Sequence, residues 1–209
     1  MGLFRRILLR SALLIVASHS ASSLAQNYPP YPVAILETTE LPLNRQVVGL
    51  IDKKDLTQLQ ELLARGVDIN RADYKGVRPI HYAAFLGSVE AMKLFAERGA
   101  DLKANTFGGW TALHYAAFGG HRQVAEFLVA AGLPIDVRDS GGESPLFYAI
   151  QVGDLTMVHW LVSHGADINH ENNGGDTPLS HAIEKQKPQI VGYLQKLGAK
   201  PAAEADKRD

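Results

Sequence analysis

Histidine is the side chain most easily turned to proton transfer or metal binding near neutral pH, and this chain has eight of them. His159, His164 and His170 lie closest together, yet they contain no His-x-x-x-His pair and no cysteine or matched acid to complete a tetrahedral metal site. Cysteine is absent altogether, which excludes disulfides, thiol catalysis, Cys-type zinc and lipid attachment at a signal cysteine. Neither a Gly-x-Ser-x-Gly nucleophile turn nor a Gly-x-x-x-x-Gly-Lys phosphate loop occurs. The glycine pairs Gly108-Gly109, Gly141-Gly142 and Gly174-Gly175 recur at one interval and read as turns rather than as phosphate cradles. The reading is therefore of a non-enzyme with no catalytic residue, no metal and no cofactor.

Two of the histidines point instead to architecture. His81 and His114 are 33 residues apart, and the frames Arg78-Pro79-Ile80-His81, Thr111-Ala112-Leu113-His114, Ser144-Pro145-Leu146-Phe147 and Thr177-Pro178-Leu179-Ser180 keep that interval. Gly66, Gly99, Gly132, Gly165 and Gly198 keep it too, each after an apolar run at helical spacing. Thr or Ser caps free amides at a helix start, and proline fits the first turn, where no donor is needed. Ser144-Pro145 and Thr177-Pro178 accordingly start helices. Ala83-Ala84, Ala116-Ala117, Ala149-Ile150 and Ala182-Ile183 allow close approach of those helices, and Gly87, Gly120 and Gly153 end them.

This pattern resembles the ankyrin repeat, with its Thr-Pro-Leu-His-x-Ala-Ala block, its Gly-His before a second helix and its Gly-Ala-Asp-x-Asn turn. The resemblance implies an all-α solenoid of five 33-residue helix-turn-helix repeats joined by short β-hairpin fingers, over about residues 44–200. The expected repeats are 44–70, 71–103, 104–136, 137–169 and 170–200, with fingers at 73–76, 106–109, 139–142 and 172–175. It also implies that His81 and His114 bond neighbouring turns as framework, and that Asp68, Asp101 and Asp167 brace the turn after each repeat rather than catalyse. The first and fifth repeats depart from the frame. Lys53, Lys54 and Asp55 in one, and Glu184, Lys185, Gln195 and Lys196 in the other, suit polar end caps.

Ahead of the repeats, residues 1–25 read as a cleavable export signal: Arg5, Arg6 and Arg10, then an apolar core from Ser11 to Ala17, then Ser23-Leu24-Ala25. That core is too short for the roughly 20 residues of a membrane-spanning helix. Arg5-Arg6 also resembles a twin-arginine signal, although Phe4 stands where Ser or Thr is usual. Cleavage would remove three arginines and no acid, taking the net charge from −1 to −4, which argues against a nucleic-acid-binding surface. Residues 26–43, with Pro29-Pro30-Tyr31-Pro32, read as an extended tether, and 201–209 as a disordered tail.

In ankyrin-like proteins partners dock on the concave side, formed by the fingers and the residues after the Ala-Ala pair. Tyr74, Val77, Phe85, Phe107, Trp110 and Phe118 make that side apolar and aromatic in the second and third repeats. The expected function is protein binding by a monomer exported to the bacterial periplasm, with one client. That client is an envelope enzyme it supports, such as a catalase, or a toxin it neutralises as an immunity protein. A secreted effector binding a host protein is the alternative, and an enzyme with an unrecognised site ranks behind both.

Overall fold

The computed structural model describes residues 42–202. The expected export signal, nearly all of the tether and most of the C-terminal tail lie outside the described residues. The chain divides into Met1–Gln46 and Val47–Asp209, and the account below concerns the second unit apart from the opening of its first helix.

Ten helices follow one another among the described residues: α1 (Pro42–Asp52), α2 (Leu56–Ala64), α3 (Pro79–Leu86), α4 (Val89–Glu97), α5 (Ala112–Gly119), α6 (Arg122–Ala130), α7 (Pro145–Val152), α8 (Leu155–Ser163), α9 (Pro178–Glu184) and α10 (Pro188–Lys196). The first begins at Pro42, proline being well suited to a first helical turn. Inner helices α3, α5, α7 and α9 pack side by side, each backed by the outer helix that follows it. Ala83, Ala84, Ala116, Ala117, Ala149 and Ile150 are wholly buried at the inner contacts. Small side chains there let the helices close up, so the core is the seam between repeats, filled by Ile80, Met92, Leu113, Leu128, Leu146 and Leu161.

Local polar chemistry fixes where the helices start. Asp55 accepts from the Gln58 amide at 3.0 Å, Ser88 from Ala91 at 3.2 Å and Asp154 from Met157 at 2.9 Å, which caps α2, α4 and α8. At α9, Thr177 and Ser180 cap reciprocally, through bonds of 2.8 and 3.2 Å. The inner helices α3, α5 and α7 end on Gly87, Gly120 and Gly153 in the left-handed region. Lys54 and Gln186, in the same register, adopt that conformation without glycine, at φ 57° and 54°, and each carries a cost of about 1 kcal/mol for it. Both lie in the end repeats. The last repeat is also less polar than the sequence suggested: Lys185 is half-buried, and Ile183 is exposed where its counterpart Ile150 is covered by the next repeat.

The connections are turns rather than hairpin strands, which corrects the expected β-hairpin fingers. Among the described residues the only β pairing is one antiparallel bridge, Asn105 to Thr111. A side chain at the start of each finger binds its amides and so competes with a ladder. Asp73 Oδ1 accepts from Lys75 N at 2.8 Å and Val77 N at 2.9 Å. Asp139 does the same for Gly141 and Glu143, and Asn172 for Gly174 and Asp176. Thr106 serves only Trp110 N, at 3.1 Å.

This exception leaves a polar atom stranded. Tyr82 donates to Asp73 at 3.1 Å and Tyr148 to Asp139, struts that tie an inner helix to its finger. In the same register Tyr115 has Thr106 in place of an aspartate, and its hydroxyl is buried without a partner. Thr106→Asp is therefore expected to raise the unfolding free energy by about 1 kcal/mol, with Tyr115→Phe nearly neutral and Tyr148→Phe losing about 1–2 kcal/mol. Guanidinium denaturation of the three variants checks this. A destabilised Thr106→Asp would show that the strut is not transferable.

Candidate partner-binding surface

Successive fingers are bonded to one another. Phe107 N donates to Lys75 O at 3.0 Å, Ser140 N to Gly108 O at 3.0 Å and Asn173 N to Gly141 O at 2.9 Å, making one continuous row. Within a finger, the residue after the opening one projects outward, and the residue four positions after the opening one turns towards the stack.

That geometry divides the six residues expected to bind a partner. Tyr74 and Phe107 sit at the outward position of adjacent fingers and are 59% and 79% exposed. Phe85 and Phe118, at the ends of α3 and α5, are half-buried with rings stacked 6.4 Å apart. Val77 and Trp110 are core residues, 2% and 6% exposed, which corrects their placement on an open face. Trp110 lies 3.9 Å from the Tyr148 ring and 5.3 Å from that of Tyr115, so it wedges the third repeat against the fourth. Its own amide is held by Thr106, which directs the indole inward. Tyr74 also carries the Lys75 ammonium 5.5 Å from its ring centroid.

The frame residues occupy the seams. His81 Nδ1 accepts from Arg78 N at 2.9 Å while its Nε2–H donates to Ala104 O at 3.0 Å, in the next repeat. His114 repeats this, with Thr111 N at 3.0 Å and Glu143 O at 3.2 Å. Each ring is thus neutral, and burial lowers both to pKa values of about 4. Gly66, Gly99, Gly132, Gly165 and Gly198 all take positive φ, between 77° and 93°. Asp68 and Asp101 close their own turns, accepting from Asn70 N and Lys103 N, while Asp167 accepts from Asn169 N.

Two seam bonds were not foreseen from the sequence. His121 Nε2 lies 2.8 Å from Phe85 O, and His170 Nε2 2.6 Å from Gly142 O. The signal for His170 was Phe147. A frame position without a ring nitrogen leaves a seam needing another donor, and His170 packs edge-on to that phenyl ring at 6.0 Å.

Further along the row the character changes. Glu143 and Asp176 hold the positions of Val77 and Trp110. Burial pushes the Glu143 carboxyl above its ordinary range, and the charge of Asp139 adds to this. No three His, Cys, Asp or Glu residues among those described stand together as a metal site, and no described helix is long and apolar enough to cross a membrane.

A family model of ankyrin repeats (3 copies) matches residues 50–139 and 132–205. With this match over most of its length, a stack of helix pairs and fingers at one interval, the chain belongs to the ankyrin-repeat family. None of the curated proteins matches it. Ankyrin repeats are protein–protein interaction modules, typically without enzymatic activity, and the class of partner they imply is protein.

Proposed function

We propose that this chain is an exported, non-enzymatic binding module of the bacterial envelope, which holds a single protein client through the fingers of its second and third repeats. The client is an envelope enzyme that it supports or a toxin that it neutralises. The observation carrying this reading is the pair Tyr74 and Phe107, two large exposed aromatic side chains on fingers joined by the Phe107 N to Lys75 O bond. Exposed rings on a bonded scaffold bury much area at little entropic cost, the character of an interface anchor. Phe85 and Phe118 continue the same aromatic tract at the helix ends.

The test is affinity capture from a gently prepared envelope fraction, comparing the chain with a Tyr74→Ala/Phe107→Ala variant. Both rings being exposed, the double variant is expected to melt like the parent while losing more than about 1 kcal/mol of affinity for one bound protein, identified by mass spectrometry. Equal recovery of that protein by both forms would remove the fingers from the interface. Fractionation of the producing cells tests export separately: the reading requires the processed chain in the periplasmic fraction.

A further inference from the structure

The four fingers share one plan, but only the last places an asparagine before a glycine: Phe107-Gly108 and Ser140-Gly141 give way to Asn173-Gly174. An Asn-Gly pair offers intramolecular chemistry, because no Cβ hinders attack by the glycine nitrogen on the side-chain amide. Asn173 is exposed. Its Nδ2–H donates to Ser140 O at 3.0 Å and its N–H to Gly141 O at 2.9 Å, so both groups latch the fourth finger to the third. The would-be nucleophile is also engaged, since Gly174 N–H donates to Asn172 Oδ1 at 2.9 Å.

We propose that Asn173 is a deamidation site of this chain, held closed in the folded state by Asn172. In the reaction the Gly174 nitrogen gives its proton to solvent hydroxide and attacks Asn173 Cγ. The new C–N bond closes a succinimide, the Cγ–Nδ2 bond breaks and ammonia leaves. Water then opens the ring to aspartate or isoaspartate, so one water is consumed for each ammonia released. While Asn172 Oδ1 accepts the Gly174 N–H, that proton is retained and is not free for hydroxide to remove. Once formed, the product carboxylate has no hydrogen to give Ser140 O and adds charge to a row already holding Asp139 and Glu143. Isoaspartate also lengthens the main chain at the Gly141 bond. Deamidation would thus unlatch the last repeat from the fourth.

The chain contains its own controls. Asp139 opens the third finger and binds the corresponding glycine amide at 2.8 Å, whereas Thr106 opens the second and binds Trp110 N without binding Gly108 N. Asn172→Asp should therefore keep Gly174 held, and Asn172→Thr should release it within a finger of native form. The full chain and both variants are kept folded in mildly alkaline buffer, with the parent also incubated in guanidinium, and peptide mapping follows conversion at Asn173. The folded parent and Asn172→Asp are expected to convert slowly. Asn172→Thr and the unfolded parent should convert roughly tenfold faster or more, the order of effect of freeing one hydrogen-bonded amide. A folded parent converting as fast as the unfolded chain would overturn the proposal. So would an Asn172→Thr variant no faster than the parent, or an Asn172→Asp variant as fast as Asn172→Thr.

Discussion

Gly109→Ala is expected to cost about 2–5 kcal/mol of stability, whereas Gly175→Ala, the same substitution at nearly the same φ angle, costs only about 1 kcal/mol. Both glycines close fingers in the left-handed region, at φ 80° and 82°, so both substitutions carry the penalty of a Cβ there. They differ in what the Cβ meets. At Gly109 it would lie 2.6 Å from Ser140 N and 2.9 Å from the Asp139 carbonyl carbon, both backbone atoms of the next finger. At Gly175 nothing lies within 4 Å, and among the described residues no further finger packs on it. A backbone neighbour cannot rotate away as a side chain can. Gly109→Ala must therefore push the third and fourth repeats apart at the Ser140 N to Gly108 O bond, beside the Trp110 wedge. Denaturant unfolding of the pair measures the difference directly. Equal losses would mean that the finger row yields freely and contributes little to holding the stack.

The contrast also shows which parts of the molecule were open to reading from sequence. The 33-residue interval, the inner-helix starts and the glycine ends are consequences of local chemistry repeated in register, so each copy supports the others. The helices formed where those signals stood. Side-chain direction within a finger has no such redundancy. The position shared by Val77, Trp110, Glu143 and Asp176 mixes apolar and acidic residues, which made it look like variable surface. Its inward turn is decided by a hydrogen bond from its amide to the residue four positions earlier, whether Asp, Thr or Asn. Tyr74 and Phe107 followed from the same rule and project outward. The seam histidines were half legible. His81 and His114 sit in the repeated frame, while His121 and His170 act through carbonyls that become neighbours only after the repeats stack.

Acidification should destabilise the stack steeply between pH 6.5 and about 4, through histidines at its seams. Burial lowers His81, His114 and His181 from the ordinary 6.5 to about 4 in the folded chain. The unfolded chain then binds more protons than the folded one throughout that window, so stability falls as pH falls. These contributions are fully present above pH 6.5 and lost as pH drops towards 4. Each histidine contributes at most about 1.4 kcal/mol per pH unit inside the window, so three together amount to roughly 10 kcal/mol at the limit, the same order as a whole domain's stability of about 5–15 kcal/mol. The structural reason is specific at the two frame positions. Nδ1 of His81 and of His114 accepts an amide hydrogen at 2.9 and 3.0 Å, and a proton placed on that nitrogen would face a donor. His114→Phe is the informative variant, because Phe147 fills the same frame position one repeat later and is wholly buried. It should lower stability at pH 7 by removing the bonds to Thr111 N and Glu143 O, yet flatten the dependence on pH by one histidine's share. Unfolding free energies measured from pH 7 to 4.5 separate the two effects. A variant whose slope matches the parent's would show that His114 already carries its proton in the fold, contrary to the acceptor geometry at Nδ1.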